Sequence, residues 1–389
     1  MTKKWSSRLT FFAFVVLMVG LGSNDSLRGI FPTIFQEHFS LTTTQLGLIV
    51  TASYIGNLVF LLVGGNLSTR FSKKRVLQVL ILIWMAALAL FAFTSNYTVL
   101  LIGMALALGS STLLNTTMNL ITPLLFATAP GFFVNFLFFT QEIGTSGSQY
   151  ILGSHADGFA FWQHTNLVLL ILGAVAFVLL LFCNVPEEAA DPADTPAQKG
   201  GYDWRIIVPY VLVFGFYFIA EHGVMNWMVA YGVDGLGLPQ ASAAKYLSVF
   251  FGGMMIGRLC LSPLVDKLGA LKSLAAFGGV SCVLYLIGSL GGAVTMPVWA
   301  ISGLSFSILY PTLVMSIRLY FPAQQVSGAA GTILSIASLA DILFNVGFGK
   351  LVDMAGYAVS IRVLPLSVLA FFIVFMLFTK FCKPTQKLK

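Results

Sequence analysis

Four acids stand inside long apolar runs of this 389-residue chain: Asp25, Glu142, Glu221 and Asp341. A charge at mid-bilayer costs a few kcal/mol or more, so such residues usually face a cavity and serve a function. Asp25 and Arg28 are three positions apart and share one helical face. Glu221 has His222 beside it, with Asn226 and Trp227 about one turn on, and no basic residue on its own segment to pair with. A buried carboxylate favours its protonated form, which suits a group that takes up and releases a proton. Each group also has a purely structural reading. Asp25 and Arg28 can neutralise one another, Asp341 can hydrogen-bond one helix to the next, and His222 can be a packed neighbour. Glu142 follows Gln141 in a stretch holding Gly144, Ser146 and Gly147, a composition typical of closely packed membrane helices.

The elements that carry these residues are read from composition. Hydrophobic residues make up 58% of the chain and charged ones only 9%, with 35 Phe, too little charge to cover a soluble protein of this size. A membrane-spanning helix needs about 20 apolar residues. Twelve such runs occur, at approximately 9–32, 45–66, 76–94, 97–120, 131–153, 164–184, 206–231, 243–263, 272–290, 295–318, 327–349 and 357–380. The first holds Asp25 and Arg28 and has no small-residue cleavage site, so it is not read as a removable leader. Gly20-Leu-Gly22-Ser-Asn24-Asp25 and Glu221-His-Gly223 are expected to interrupt the first and seventh spans. Broken helices in corresponding places of two repeats point to a binding site.

A repeat is visible. Gly65-Asn-Leu-Ser-Thr69-Arg70-Phe-Ser72-Lys73-Lys74-Arg75 follows the second apolar run, and Pro263-Leu-Val-Asp266-Lys267-Leu-Gly269-Ala-Leu-Lys272 follows the eighth, about half a chain later. Domain boundaries are therefore expected at 1–184 for a first six-helix bundle, 185–204 for a Pro- and acid-rich cytoplasmic linker, and 205–389 for a second bundle. Most of the 21 Lys and Arg fall on one side of the resulting topology, which predicts cytoplasmic termini. The net charge of +7 then reports topology and contact with anionic lipid rather than a nucleic-acid partner, since no basic stripe is interleaved with stacking aromatics. The four cysteines have no metal-ligand spacing and are read as packing thiols. No phosphate loop, nucleophile elbow or zinc helix motif is present, so an enzyme is not expected.

The first loop resembles the signature Gly-x-x-x-Asp-Arg-x-Gly-Arg-Lys of the major facilitator superfamily, here Gly65-x-x-x-Thr69-Arg70-x-Ser72-Lys73-Lys74. The acid and second glycine are replaced in this copy, while Asp266, Lys267 and Gly269 survive in the other. The resemblance narrows to the fucose/galactose/glucose proton symporter branch. It rests on Gly22-Ser-Asn24-Asp25-Ser-Leu27-Arg28-Gly-Ile-Phe-Pro32, Asn115-Thr-Thr-Met-Asn119, Asn135 to Gly144, Ala220-Glu221-His-Gly-Val-Met-Asn226-Trp227 and Ser305-Phe-Ser-Ile-Leu-Tyr310-Pro311. It implies an all-α fold of twelve transmembrane helices in two pseudo-symmetric six-helix bundles, acting as a monomer in the plasma membrane without a cofactor.

The function implied is secondary active transport of a small polar solute, a sugar, by proton-coupled alternating access. Asp25 matches the family's coupling acid. Some members have a second coupling acid in span four where this chain has Asn115, and Glu221 is taken for that role instead. Asn24, Arg28, Asn115, Asn119, Glu142, Asn226, Trp227, Tyr310 and Asp341 are the candidate solute ligands, since a sugar offers hydroxyls to polar groups and a C–H face to a ring. Arg70, Arg258, Asp266 and Lys267 form the expected conformational latch. Proton-driven efflux of amphiphiles, and uptake of an organic or sugar acid anchored by Arg28, are the alternatives.

Overall fold

The computed structural model describes residues 3–126, 130–186 and 202–384, and within them it is helical with no strand. The chain divides into two compact units, Met1–Asp191 and Pro192–Lys389. The linker expected at 185–204 falls largely on 187–201, outside the described residues. The first unit contains α1 (Lys3–Ile30), α2 (Pro32–Phe39), α3 (Thr43–Arg70), α4 (Lys73–Phe93), α5 (Tyr97–Leu125), α6 (Pro130–Ile151) and α7 (Phe159–Phe182). The second contains α8 (Trp204–Ala230), α9 (Gln240–Leu268), α10 (Ala270–Leu290), α11 (Met296–Ile301), α12 (Gly303–Phe306), α13 (Leu309–Ser316), α14 (Ala323–Ala355), α15 (Tyr357–Ser360) and α16 (Val363–Phe381). Among the described residues 11 segments are long and apolar enough to cross a membrane. The fifth place in the order is taken by the 22-residue α6, which carries Gln141, Glu142 and Gln149.

The units repeat one packing scheme. In the first, α1 packs on α6 and α7, α3 on α5, and α4 on α5 and α7. In the second, α8 packs on α14 and α16, α9 on α11 and α12, and α10 on α11, α13 and α16. The first, second and third spans of each half thus choose equivalent neighbours.

Helix starts follow side-chain chemistry. Asn96 Oδ1 accepts from the Thr98 and Val99 amides (2.9 and 3.2 Å), and Asp203 Oδ1 accepts from the Arg205 amide at 2.9 Å, satisfying donors that a first turn leaves open. The repeated loops turn differently. Ser72 sits at φ −59° and caps α4 by accepting from the Arg75 amide. Its counterpart Gly269 stands at φ +81°, a conformation that glycine adopts without the clash a side chain meets.

The two expected helix breaks are absent, because α1 and α8 each run unbroken through them. A membrane helix keeps its backbone hydrogen bonds through glycine, and the glycines serve close packing instead. A Cβ on Gly22 would meet the Gln141 carbonyl, one on Gly144 the Val19 carbonyl, and one on Gly223 the Leu364 side chain. The break falls in the tenth span, which is divided into α11, α12 and α13. Pro311 has no N–H to continue a helix from Ser307, so α13 restarts at Leu309. Ser302 and Ser307 hydroxyls turn back onto the Trp299 and Leu304 carbonyls (2.5 and 2.7 Å) and supply donors at the joints.

Candidate functional site

In the first unit a polar stripe runs along α5. Ser111, Asn115 and Asn119 recur every fourth residue and so lie on one face. Ser111 Oγ donates to Asp25 Oδ2 of α1 at 3.1 Å. Asn119 Nδ2 donates to Asn115 Oδ1, and Asn115 Nδ2 donates to Gln141 Oε1 of α6, both at 2.6 Å. Along one face of α5, one pair thus reaches α1 and one chain of amides reaches α6. Asp25 and Arg28 form no ion pair, although the guanidinium acts on the carboxylate through the intervening space. Arg28 instead lies over the Tyr54 ring of α3, 5.4 Å from its centroid, within cation–π range.

Several buried polar atoms of this set have no hydrogen-bond partner: Asp25 Oδ1, Arg28 Nε and Asn119 Oδ1. Leaving a buried donor or acceptor unmet is costly, so a cluster of them marks where water or a ligand completes the bonding. Asn24 is not part of this group. Its Oδ1 accepts from the indole N–H of the fully buried Trp84 at 3.0 Å, which turns Asn24 toward α4.

The second unit holds a contrasting arrangement. His222 Nδ1 of α8 lies 2.5 Å from Asp341 Oδ2 of α14. The Asp341 side chain is 2% exposed and that of His222 26%. Asn345 Nδ2, one turn beyond Asp341, donates to the Asp341 carbonyl at 2.9 Å and to its Oδ1 at 3.3 Å. Asn345 Oδ1 in turn accepts from Trp227 Nε1 at 3.0 Å and Asn226 Nδ2 at 3.4 Å. Trp227 is 1% exposed and packs on Phe348, 4.9 Å between ring centroids. Glu221 points to another neighbourhood. It acts electrostatically on Tyr217, Tyr285 and Tyr310, and Arg258 of α9 acts on Tyr217 and Tyr310 as well. The Tyr285 hydroxyl donates to the Ala220 carbonyl, tying α10 to the turn of α8 that carries Glu221. Tyr310 is half-buried among Phe214, Tyr217 and Phe218, with centroids 6.0–6.1 Å apart.

A model of the Major Facilitator Superfamily matches residues 10–340. The chain belongs to the Major Facilitator Superfamily. It is similar to the L-fucose-proton symporter of Escherichia coli (strain K12), 24% identical over 333 residues that cover 74% of this chain and 75% of that protein. It is also 26% identical over 379 residues to the glucose/galactose transporter of Brucella abortus biovar 1 (strain 9-941), covering 91% and 90%. The solved D-xylose-proton symporter superposes with a TM-score of 0.75 at 16% identity over 98% of each chain, a likeness of fold. The protein is thus a multi-pass membrane transporter of this superfamily and not an enzyme.

Within the superfamily fold, the residues singled out by sequence separate into groups. Asp25, Arg28, Asn115 and Asn119 share the first-unit stripe, and Glu142 is half-buried on α6 beside Gln141. Asn226, Trp227 and Asp341 join in one buried network, while Glu221, Tyr310 and Arg258 gather in an aromatic cluster. Of the superfamily loop residues, Lys267 is exposed, and the side chains of Arg70 and Asp266 lie outside the described residues. Sequence reasoning missed Ser111, Gln141 and Asn345 as members of these networks and did not pair His222 with Asp341. The four-residue spacings of Ser111 to Asn115 and Asp341 to Asn345 were the available signal.

Proposed function

We propose that this chain is a proton-coupled symporter of a small hydroxylated solute, a sugar, working as a monomer in the plasma membrane with both termini cytoplasmic. The observation that carries the reading is the polar face of α5, where Ser111 holds Asp25 and Asn115 and Asn119 hold Gln141, with unmet buried atoms of both donor and acceptor type at Asp25, Arg28 and Asn119. Hydroxyl groups both donate and accept, so a sugar answers such a set where an apolar amphiphile leaves it unsatisfied. The similarity to the L-fucose-proton symporter and the glucose/galactose transporter supports the same solute class.

In this reading Asp25 takes the proton, with Ser111 orienting its carboxyl and Arg28 setting its electrostatic surroundings. Within the first unit Arg28, Asn115, Asn119 and Glu142 bind solute, and Tyr310 is the aromatic candidate of the second unit. Glu221 is the second coupling acid, balanced by Arg258. Asn24, Asn226, Trp227 and Asp341 brace helices rather than contact solute, since each is buried and committed to another side chain. Arg70, Asp266 and Lys267 serve the conformational latch. Coupling needs only that proton and solute each bind one conformer better than the other.

The test is uptake of radiolabelled fucose, galactose and glucose into liposomes bearing purified protein, with and without an inward proton gradient. Gradient-driven accumulation of one of them that Asp25→Asn abolishes is the expected result. Accumulation of a sugar acid but of no neutral sugar would move the solute class to one anchored by Arg28. No proton-linked uptake, with Asp25→Asn equal to the parent, overturns the reading.

A further inference from the structure

Asp341 is 2% exposed, and its partners among the described residues are His222 and Asn345. Asn345 is neutral, so the one counter-charge within ion-pair distance is an imidazole that carries charge only when protonated. A carboxylate withdrawn from water and left uncompensated is strongly disfavoured. Removing the extra proton from this pair leaves that situation, and keeping it makes the pair neutral overall. The proton resides on the imidazole, giving an ion pair, or on the carboxyl, which then donates to Nδ1. A separation of 2.5 Å fits either placement, and both describe one proton held jointly.

We propose that His222 and Asp341 form a proton-binding site of the second unit, separate from Asp25 and Glu221, that holds one exchangeable proton between the two side chains. Of the two side chains His222 is the accessible one, at 26% exposed against 2% for Asp341. The other charged residues of the packed elements are Arg205 and Glu221 on α8, Lys245, Arg258, Asp266 and Lys267 on α9, Lys350 and Asp353 on α14, and Lys380 in the last turn of α16, with Tyr310 on α13. Glu221, Arg258 and Tyr310 belong to the cluster around Tyr217. None of these is an ion-pair partner of Asp341 among the described residues.

The pair also has a listener. Asn345 donates to Asp341 and accepts from Trp227, so a change of charge on Asp341 alters the hydrogen bonding of an indole. A site whose occupancy shifts the α8–α14 contact would let the second unit respond to protons independently of Asp25.

The experiment needs no solute, so its outcome is separable from that of the transport assay. The chain has four histidines. Purified protein labelled with ¹⁵N-histidine is examined by NMR near neutral pH, the His222 signal being assigned from His222→Gln. Infrared difference spectra of parent minus Asp341→Asn report the protonated carboxyl. Expected is either an imidazolium at His222 that becomes neutral in Asp341→Asn, or a neutral His222 with a protonated-carboxyl band that Asp341→Asn deletes. Raising the pH from about 5 to 9, a range that brackets histidine titration, is expected to release the proton in one step seen by both probes. A neutral His222 facing an ionised Asp341 near neutral pH overturns the proposal, as does the absence of any step in that range. The decisive spectra are those of the parent, so a poorly folded variant does not rescue it.

Discussion

The α1–α6 and α8–α14 contacts are equivalent pairs, the first and fifth spans of each unit, and they are closed by opposite means. On α1–α6 the backbones meet directly. Gly22 and Gly144 leave no room for a Cβ, Ser23 Oγ donates to the Gly144 carbonyl at 3.3 Å, and Thr145 Oγ1 donates to the Gly22 carbonyl at 3.3 Å. On α8–α14 the contact runs through His222, Asp341, Asn345, Asn226 and Trp227. A backbone contact has no titratable part and depends on shape alone. A side-chain clamp built on an acid and an imidazole depends on a proton. The first unit's polar stripe keeps unmet atoms at Asp25, Arg28 and Asn119, and in the second unit Asn345 donates to Asp341.

Five single variants probe this contrast, the two transport effects first and then the three stability effects, each in falling order. Asp25→Asn removes the proposed coupling proton. One charge moved across about 100 mV is worth about 2.3 kcal/mol, so the variant should lose up to about fortyfold in solute accumulation in liposomes at that potential. Asp341→Asn should retain transport better than Asp25→Asn, and equal losses in the two would erase the distinction between stripe and clamp. His222→Ala strands a buried carboxylate and should cost about 3–5 kcal/mol of stability. Denaturation of detergent-purified protein would show it, with the double variant His222→Leu/Asp341→Leu recovering much of the loss. Gly144→Val forces a branched side chain against the Val19 carbonyl and should cost about 1–3 kcal/mol, by an amount that does not vary with pH. A pH-dependent loss there would contradict an α1–α6 contact without a titratable part. Trp227→Phe keeps the packing on Phe348 but gives up the bond to Asn345, and about 1 kcal/mol is the expected cost.

Much of the fold was legible because apolar runs of sufficient length have few alternatives in a bilayer. The repeated basic loop marked the halves for the same reason, since insertion retains Lys and Arg on one side. Asp25 and Arg28 were legible as a shared face, though Arg28 finds Tyr54 rather than an ion pair. The glycines of spans one and seven admit close neighbours and do not break their helices. Composition cannot tell a glycine that frees a helix from one that lets a neighbour approach, and Gln141 and Leu364 are the neighbours here. The break in the tenth span was visible only as Pro311, whose effect depends on where the preceding turn ends.

By itself the sequence determined that twelve helices cross a membrane, that they form two related halves, and which acids sit among them. Those follow from transfer energies and periodicity, which are local properties of the chain. Tertiary structure decided the partners: Ser111 for Asp25, Gln141 for Asn115, the Glu221–Arg258 tyrosine cluster, and above all His222 for Asp341. Whether a buried acid is a ligand, a brace or a proton site depends on which counter-charge stands within about 3 Å of it. That distance is set by the packing of helices more than a hundred residues apart in the chain, as for His222 and Asp341.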